Sequence, residues 1–304
     1  MSEPEAVVMG RVGVDLYPDQ LETPLEEVET FHKFVGGFAG NVATGLARLG
    51  VSTAIVSAVG DDGHGRFVRS FLEREGVDCR WLSVDPELRT ALAFCEAWPP
   101  DRFPITFYRT PTCPDWELRP ERLDLAAIGR APLAYLSGTG LAREPSRAAT
   151  LAVAAARTEG DTVLDLDWRP MLWSDPADYA ASVRELLPRC RIVLGSDEEV
   201  VAAVGSGGPR ALLELGPSVV VQKHGPDGAT VFREGEEAHV PGRRVQVVNG
   251  LGAGDAFAAA FGWKLLQGAG LRDCVDAANR AGAHVAARLG CSIAMPRAED
   301  LNDN

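Results

Sequence analysis

A glycine-rich segment near the end of the chain, Asn249-Gly-Leu-Gly-Ala-Gly-Asp255, stands directly before an alanine-rich stretch of helical character. Gly252, Ala253 and Gly254 carry little or no side chain, so an anion can approach their backbone amides closely. The helix that follows points its unpaired N–H groups and the positive end of its dipole at the same place. The segment therefore predicts a site for an oxyanion or a transferring phosphoryl group, held without any lysine.

The carboxylate that ends this segment, Asp255, has two interpretations. It can cap the helix by accepting a backbone N–H, or it can act as a general base that takes a proton from a hydroxyl group attacking phosphorus. A Gly-Asp pair before a helix favours the cap when it is considered alone. A second glycine cluster elsewhere in the chain favours the base.

That second cluster is Val35-Gly-Gly-Phe-Ala-Gly-Asn41, which opens a predicted helix that stops at Gly50. It is not a Walker loop, because no Gly-Lys-Ser/Thr follows, and its glycines lack the G-x-G-x-x-G order of a dinucleotide-binding fingerprint. Asn41 can both donate and accept hydrogen bonds at the start of the helix, and such a residue suits a sugar hydroxyl.

A third group of polar residues follows a predicted strand, in Asp165-Leu-Asp167-Trp-Arg169. One interpretation is a surface ion pair. The other is a cluster in a ligand cleft, because ligands of parallel sheets bind outside the carboxyl ends of the strands. Arg109 stands in a separate aromatic segment, Phe107-Tyr-Arg109. Arginine suits a substrate carboxylate, since its planar guanidinium makes two parallel charge-assisted hydrogen bonds.

The elements that must position these residues alternate along the chain. Short apolar runs predict strands, and stretches with helical spacing between them predict helices, which is the pattern of a parallel sheet covered on both faces. Residues 11–35 and about 89–111 instead alternate apolar and polar residues around prolines, which predicts a small antiparallel sheet, either a lid over the site or two ordinary hairpins. The predicted strands are Ala54–Val59, Leu133–Ser137, Thr162–Asp167, Ile192–Gly195 and Val219–Lys223, and the predicted helices are Gly65–Glu75, Arg147–Thr158, Asp178–Leu187, Ala256–Gln267 and Val275–Leu289.

The composition excludes several classes of function. The 304 residues include 30 Lys+Arg and 43 Asp+Glu, for a formal net charge of −13. Binding to nucleic acid or to an anionic membrane surface is disfavoured, because both need clustered basic residues. The acidic N-terminus lacks the features of a signal peptide, no apolar run is long enough to cross a membrane, and the six cysteines are scattered. We therefore expect a cytoplasmic protein with reduced, mostly buried thiols.

The paired signatures Gly36-Gly37-x-x-x-Asn41 and Gly252-Ala253-Gly254-Asp255 resemble those of the ribokinase-like (PfkB) sugar kinases. The resemblance implies one α/β domain over residues 1–304, with a parallel-sheet core, helices on both faces and a small β-sheet lid from about 11–35 and 89–111. It also implies ATP-dependent phosphorylation of a primary alcohol on a small sugar-like substrate, with Mg²⁺ as cofactor, and a homodimer formed through the lid.

The same resemblance implies roles for the matching residues. Asp255 takes the place of the catalytic base, and Gly252, Ala253 and Gly254 that of the anion hole. Residues that hold substrate hydroxyls match Asp15, Gly36, Gly37 and Asn41, and residues on the nucleotide side match Ser196, Lys223, Gly225, Gly228 and Asn279. The family's Asn-x-x-Glu motif, which orders Mg²⁺, falls on Ser196 to Glu199, with serine in place of asparagine. A monovalent-cation site, such as one for K⁺, stays open, because Asn249-Gly250 replaces the usual Asp-Thr.

Further segments, among them GRVGVDLYP at residues 10–18 and QKHG at 222–225, resemble the inositol-catabolic branch of this family, the 5-dehydro-2-deoxygluconokinases. Their substrate is a linear keto acid that is phosphorylated at O6. Arg109, Asp167 and Arg169 thereby become candidate substrate-binding residues, with the two arginines as partners of the carboxylate. The alternatives within the family are a 2-keto-3-deoxygluconate kinase and a fructokinase or ribokinase. The alternative outside enzymes is a silent sugar- or nucleotide-binding regulator on the same fold.

Overall fold

The computed structural model of this protein describes residues 3–301, which contain two β-sheets with helices packed around the larger one. The strands are β1 (Ala6–Met9), β2 (Gly13–Pro18), β3 (Phe31–Gly36), β4 (Thr53–Gly60), β5 (Asp78–Asp85), β6 (Leu92–Cys95), β7 (Ile105–Tyr108), β8 (Leu133–Ser137), β9 (Asp161–Asp165), β10 (Ile192–Ser196), β11 (Val219–Lys223), β12 (Gly228–Arg233) and β13 (Glu236–Pro241).

The larger sheet has nine strands over residues 3–301, in the order β13-β12-β11-β10-β9-β8-β1-β4-β5. Every neighbouring pair from β5 to β11 is parallel, and the β11–β12 and β12–β13 pairs are antiparallel. β1 lies inside the parallel part, with Ala6 opposite both Thr53 of β4 and Leu133 of β8. The carboxyl ends of the parallel strands therefore meet at one edge of the sheet, which is the edge where ligands of such sheets bind.

Helices cover both faces of this sheet, as the sequence predicts. The helices are α1 (Phe38–Arg48), α2 (Gly63–Arg74), α3 (Leu125–Gly129), α4 (Ser146–Ala156), α5 (Pro176–Leu186), α6 (Asp197–Val204), α7 (Gly208–Glu214), α8 (Ala253–Leu266) and α9 (Leu271–Ala286). Along β1, Ala6 and Val8 point into a core shared with α1, α2, α8 and α9, whereas Val7 and Met9 point into a core shared with α3 to α7. The alternation follows from the two-residue period of a strand that is buried on both faces.

The smaller sheet has the strand order β3-β2-β6-β7 and is built from the two segments whose alternation predicts it. Its β2–β3 and β6–β7 pairs are antiparallel, but β2 and β6 are parallel, with Asp15 opposite Ala93. The sheet is therefore mixed rather than purely antiparallel, because the two hairpins that form it pair through strands running in the same direction.

The structure of residues 3–301 also bears on the end of one predicted strand, on the cysteines and on the apolar character of the helices. The strand predicted over Thr162–Asp167 ends at Asp165, and Asp167 adopts a φ of 36°, which takes the chain out of the sheet. All six cysteines are free and buried, as expected. No helix of this part of the chain has the length and apolar character that a membrane span requires.

Candidate active site

The residues with candidate chemistry lie at the carboxyl edge of the large sheet. Arg11 follows β1, Thr139 follows β8, Asp167 follows β9, and Lys223 is the last residue of β11. Helix α8 begins at the same edge, since a Cβ atom built on Gly254 would lie 3.6 Å from the Nζ of Lys223. The sheet thereby gathers residues from four strands and one helix into a single cleft.

Asp255 lies in the first turn of α8 and does not cap it. Gly252, in the left-handed conformation with a φ of 83°, is the N-cap residue, and no side chain caps the helix. A Cβ atom at Gly252 would also lie 2.9 Å from the Sγ of Cys291, so glycine is the residue that fits. The cap interpretation of Asp255 is therefore wrong. Its Oδ2 instead accepts a 2.7 Å hydrogen bond from the Nδ2 of Asn41.

The Asn41–Asp255 hydrogen bond joins the two glycine clusters, which are far apart in the sequence. Asn41 is 3% exposed, and its Oδ1 is a buried acceptor without a hydrogen-bond partner among residues 3–301. Leaving a buried acceptor unpaired costs free energy, so a ligand hydroxyl that donates to it would be stabilised. The amide thus holds the carboxylate with one atom and offers the other to a ligand.

The glycines of the first cluster create room for Asp15. A Cβ atom on Gly36 would overlap the Asp15 carboxylate, which lies over this glycine at the end of β3. Gly37 has a φ of 86° and is the N-cap of α1, and a Cβ there would lie 2.6 Å from the carbonyl oxygen of Arg11. Both positions therefore require glycine, and together they bring a carboxylate of the small sheet to the start of a core helix.

Asp167 is the centre of a buried ion network. Its Oδ2 lies 2.9 Å from Arg11 Nη2 and accepts a 2.6 Å hydrogen bond from the Thr139 hydroxyl, and its Oδ1 lies 3.3 Å from Arg169 Nη2. Burial raises the pKa of this carboxyl, but the positive charges of Arg11 and Arg169 outweigh it, so the pKa is lowered from its ordinary value. The interpretation of this segment as a surface ion pair is wrong, because Asp167 is 3% exposed.

A second buried network surrounds Lys223. Its Nζ lies 3.1 Å from the Oδ2 of Asp165 and 3.7 Å from the Oε2 of Glu199. Burial raises the pKa of Asp165 to about 7, and the negative charge of Glu199 adds to this rise against the opposing charge of Lys223. Burial lowers the pKa of Lys223, but the two carboxylates outweigh it, and the net shift is upward. Lys223 is therefore a cation that forms ion pairs with two carboxylates.

The glycine segment, predicted to hold an anion without any lysine, has Lys223 close to it. Its ammonium stands beside Gly254, at the end of α8 where the backbone N–H groups are unpaired. The sequence could not reveal this, because Lys223 and the helix belong to distant parts of the chain.

Ser196 and Glu199 form a capping box at the start of α6. The Ser196 hydroxyl accepts the Glu199 N–H at 3.2 Å, and the Glu199 Oε2 accepts the Ser196 N–H at 2.7 Å. The other Glu199 oxygen accepts the N–H of Trp168 at 3.3 Å. Serine thus satisfies the helix start at the position where asparagine was expected.

The remaining nucleotide-side residues lie around the β12–β13 hairpin. Gly225, with a φ of 58°, has open space where a Cβ would project. A Cβ on Gly228 would overlap the carbonyl oxygen of Val240 in the paired strand. The Nδ2 of Asn279 donates to the carbonyl oxygens of Val240 at 3.2 Å and Pro241 at 3.1 Å. Gly228 and Asn279 therefore hold the hairpin in place, and a contact between Asn279 and an adenine stays a prediction.

Arg109, predicted to reach the substrate from the small sheet, is buried and already paired. Its Nη2 lies 2.5 Å from Asp115 Oδ1, and its guanidinium carbon lies 4.5 Å from the ring centroid of Trp116. It nevertheless lines a small recess together with Arg11 and Asp15. The structure thus brings Arg109 to the edge of the cleft, with its Nη2 bound to Asp115 and its guanidinium face packed on Trp116.

Two buried carboxyls of the cleft, Asp15 and Asp255, have raised pKa values. Burial raises the pKa of Asp255 to about 6, and the charge of Asp167 adds to the rise, whereas the hydrogen bond from Asn41 opposes it. Burial raises the pKa of Asp15 to about 7, against the opposing charge of Arg11. A base with a pKa near 6 is ionised at neutral pH and still basic enough to accept a proton in the transition state.

Sequence reasoning missed Arg11 and Thr139, although both follow strands of the parallel sheet. The relevant signal was available: a polar residue directly after an apolar strand points to the ligand edge. Arg11 was assigned to the small sheet, because β1 spans only Ala6–Met9 and its four residues are too few to show a pattern.

Comparison with known proteins places the chain in a family. Residues 3–298 match the pfkB family carbohydrate kinase. A 5-dehydro-2-deoxygluconokinase from Bacillus velezensis is 34% identical over 307 residues, which cover 98% of this chain and 93% of that protein. The chain belongs to the PfkB family of carbohydrate kinases. Another relative with the same printed name, from Halalkalibacterium halodurans, is 33% identical over 308 residues, again 98% of this chain and 93% of that protein.

Solved structures share the architecture of this PfkB kinase. Fructokinase from Vibrio cholerae, determined with fructose, ADP and calcium ion, aligns with a TM-score of 0.87 and 28% identity over 99% of this chain and 98% of that chain. An uncharacterized sugar kinase from Pyrococcus horikoshii, determined with ATP, aligns with a TM-score of 0.86 and 25% identity over 97% of this chain and 96% of that chain. The α/β fold class, a ribokinase-like parallel core with a small additional sheet, is confirmed.

Proposed function

We propose that this PfkB kinase transfers the γ-phosphoryl group of ATP to O6 of 5-dehydro-2-deoxy-D-gluconate, a reaction of myo-inositol catabolism. The observation that carries the kinase chemistry is the 2.7 Å contact between Asn41 and Asp255 at the unpaired N-terminus of α8. The names of relatives that cover 98% of this chain support the substrate, as do the arginines of the cleft.

Asp255 is the proposed general base. Its carboxylate takes the proton of the attacking primary hydroxyl as the bond to phosphorus forms, and Asn41 orients it through the hydrogen bond to Oδ2. The pKa of about 6 keeps the carboxylate ionised at neutral pH. A positioned base of this kind contributes about 10²–10⁴ in rate.

The transferring phosphoryl group is proposed to sit at the start of α8. The backbone N–H groups of Gly252, Ala253 and Gly254 form the anion hole, because no side chain caps this helix. Lys223 adds a full positive charge beside Gly254. Fixed donors and charges aimed at the transferring group are the main source of catalysis in phosphoryl transfer.

The nucleotide is proposed to lie along Lys223, Gly225, Gly228 and Asn279, where the open space at Gly225 gives room for a ligand. Within residues 3–301 no group of three or more His, Cys, Asp or Glu side chains could bind a metal by itself. This fits Mg²⁺, which keeps several waters and binds through one or two carboxylates together with phosphates. Glu199, next to Ser196, is the proposed carboxylate, and the bound ion would neutralise phosphate charge.

The substrate is proposed to lie between the two sheets. Asp15, the Gly36–Gly37 backbone and the free Oδ1 of Asn41 would contact its hydroxyl groups, since Asp15 lies over Gly36 and Asn41 is hydrogen-bonded to Asp255. Arg169, fixed by Asp167, is the proposed partner of the substrate carboxylate.

A homodimer formed through the small sheet belongs to the same proposal. The rings of Phe31 and Phe94 lie 5.3 Å apart and those of Phe94 and Tyr108 lie 5.1 Å apart, and Tyr108 is 58% exposed. An exposed aromatic group of this kind is typical of protein interfaces. Light scattering of the wild type should give the dimer mass, and Tyr108→Lys should give the monomer mass; a monomeric wild type would contradict the dimer.

The experiment that tests the substrate is an ADP-release assay with ATP over two acids, 5-dehydro-2-deoxygluconate and 2-keto-3-deoxygluconate, and two neutral sugars, fructose and ribose. We expect kcat/KM to be at least about tenfold higher for 5-dehydro-2-deoxygluconate than for the others, a difference of about 1.4 kcal/mol. If the enzyme used a neutral sugar or 2-keto-3-deoxygluconate equally well, the proposed substrate would be wrong. Repeating the assay with K⁺ replaced by tetramethylammonium measures any monovalent-cation requirement.

A further inference from the structure

Arg11 lines the small recess beside the small sheet, and the sequence did not assign it to the substrate. It is 7% exposed, and it lines this recess with Asp15, Gly37, Phe107 and Arg109. Its guanidinium carbon lies 5.7 Å from the ring centroid of Phe107, a residue of the small sheet. The arginine therefore lies where the core and the small sheet meet, beside the carboxylate of Asp15.

Two of the three guanidinium nitrogens of Arg11 are fixed by the protein. Nε donates to the Thr139 hydroxyl at 2.9 Å, and Nη2 donates to both carboxylate oxygens of Asp167, at 3.2 and 2.9 Å. Nη1 donates to no residue in the described range 3–301. It is absent from the fully buried unpaired atoms, so this nitrogen keeps some exposure. A rigidly held arginine with one free donor nitrogen, which carries two N–H groups, is preorganised to bind an anion.

Arg11 and Arg169 share the carboxylate of Asp167, so the three groups together carry one positive charge. Among the carboxyls near these arginines, Asp15 and Asp255 have pKa values raised to about 7 and about 6, chiefly by burial. Near neutral pH Asp255 is ionised and Asp15 is partly protonated, so they offset the remaining positive charge. The feature that favours an anion is therefore the free Nη1 of a fixed guanidinium and not the overall charge of the cluster.

Arg109 is built differently. Its Nη2 is bound to Asp115 Oδ1, its face lies over the Trp116 ring, and its Nε is buried without a partner in residues 3–301. The second oxygen of Asp115 accepts the backbone N–H of Val12 at 3.2 Å. Through Asp115, Arg109 therefore holds the backbone immediately after Arg11.

We propose that Arg11 is the specificity-determining residue that binds the substrate carboxylate through Nη1, together with Arg169, and that Arg109 is a positioning residue that acts through Asp115 and Val12. This inference rests on the proposed function, because it assumes an acidic sugar. It replaces the sequence-based assignment of Arg109 as a direct carboxylate partner.

The test compares 5-dehydro-2-deoxygluconate with its uncharged C1 amide in wild type, Arg11→Gln and Arg11→Lys. Loss of a charge-assisted contact should raise KM for the acid about 10- to 100-fold in Arg11→Gln while KM for the amide changes less than about threefold. Arg11→Lys, which retains the charge, should recover part of the difference. Calorimetric titration of the acid without ATP should show the same loss of affinity.

The matched control is Arg48→Gln. Arg48 also makes a bidentate ion pair, with Glu75 at 2.8 and 2.9 Å, but it lies at the far end of α1 from Asn41. This variant should keep the wild-type ratio of KM values for amide and acid. The same ratio in Arg11→Gln and in wild type would overturn the assignment of Arg11, even if the acid proves to be the substrate.

Arg109→Gln separates direct binding from positioning. A positioning role that acts through Arg11 predicts that Arg109→Gln raises KM for the acid in the wild-type background and adds little in the Arg11→Gln background, whereas direct binding predicts a further rise in both. A larger loss of acid preference in Arg109→Gln than in Arg11→Gln would overturn the proposal.

If wild type instead uses 2-keto-3-deoxygluconate, the proposed substrate is wrong, and the ratio of KM values measured with that acid and its amide still tests Arg11. A preference for fructose or ribose in the wild type would overturn both the proposed substrate and the proposed role of Arg11.

Discussion

Two aspartates at the end of the same strand, Asp165 as its last residue and Asp167 just beyond it, are equally buried and have opposite electrostatic surroundings. They are 4% and 3% exposed. Burial would raise the pKa of Asp167, but it lies between the guanidiniums of Arg11 and Arg169, and its pKa is lowered. Burial raises the pKa of Asp165 to about 7. The ammonium group of Lys223 opposes this rise but does not outweigh it, and the second carboxylate beside that ammonium, Glu199, adds to it. The neighbours, rather than the burial, therefore separate the two groups.

This difference divides the cleft into two parts with different binding properties. The network of Asp167 has two cations for one carboxylate, which suits the carboxylate of an acidic sugar. The network of Lys223 has one cation for two carboxylates, Asp165 and Glu199, which suits phosphates accompanied by a divalent cation. Asp255 interacts electrostatically with both networks. The charge of Asp167 raises the pKa of Asp255, and the charge of Asp255 raises the pKa of Lys223. The proposed base thus stands where an acid substrate and a phosphoryl donor would meet.

The largest expected effect comes from Asp255→Asn, which removes the base between the two networks. We expect kcat to fall by about 10²–10⁴ and the dissociation constant for ATP to change less than about threefold, because a proton acceptor is lost and the phosphate donors remain. Steady-state kinetics and calorimetry measure the two quantities. In the wild type, kcat/KM should fall about tenfold per pH unit below pH 6, where Asp255 becomes protonated. Near-normal kcat in the variant would remove Asp255 from catalysis.

The next effect separates the stabilities of the two networks. Lys223→Gln leaves two buried carboxylates without their cation, so the free energy of unfolding should fall by about 3–5 kcal/mol. Arg169→Gln should cost at most about 1 kcal/mol, because this side chain is partly exposed and Asp167 keeps Arg11. Urea unfolding at neutral pH measures both. Equal losses would show that the contrast between the networks has no energetic consequence.

A smaller effect lies in how stability depends on pH. The raised pKa of Asp165 means that its favourable contribution is present below about pH 4 and is lost as the pH rises toward 7, so the stability cost of Asp165→Asn should shrink over that range. The lowered pKa of Asp167 gives a contribution that is present above about pH 4 and lost as the pH falls further, so the cost of Asp167→Asn should shrink on acidification. Unfolding curves at several pH values test the signs, and parallel trends in the two variants would refute them.

The smallest effect concerns Ser196, which bounds the Lys223 network. Ser196→Asn preserves a side-chain cap and should change the free energy of unfolding by less than about 0.5 kcal/mol, whereas Ser196→Ala should cost about 1 kcal/mol. Thermal unfolding compares the pair. A large loss in Ser196→Asn would mean that the serine hydroxyl has a role beyond the capping box with Glu199.

Much of the architecture could be predicted from local patterns. The strands Leu133–Ser137 and Val219–Lys223 have the predicted bounds, because buried parallel strands are continuous apolar runs. The hairpin of Gly228–Arg233 and Glu236–Pro241 was not predicted, because its second strand is largely polar and exposed. Short or half-exposed strands carry too little periodicity to be recognised from the sequence.

The site shows the same limit. Glycines with a steric requirement, such as Gly36 and Gly252, could be selected from the sequence, because only glycine fits a close approach or a left-handed turn. The partners of Lys223 could not, since its distances to Asp165 and Gly254 depend on how distant segments are packed. Local chemistry thus predicts which residues act, and tertiary structure decides which charges they meet.

In the proposed reaction, one cleft brings an acidic sugar and a phosphoryl donor together at Asp255. The most direct measurement is ³¹P and ¹H NMR of the product formed from ATP and 5-dehydro-2-deoxygluconate. We predict a single monophosphate at O6 with the wild type and none on the same timescale with Asp255→Asn. Phosphate on another hydroxyl, or no product from this acid while a neutral sugar is phosphorylated, would contradict the account.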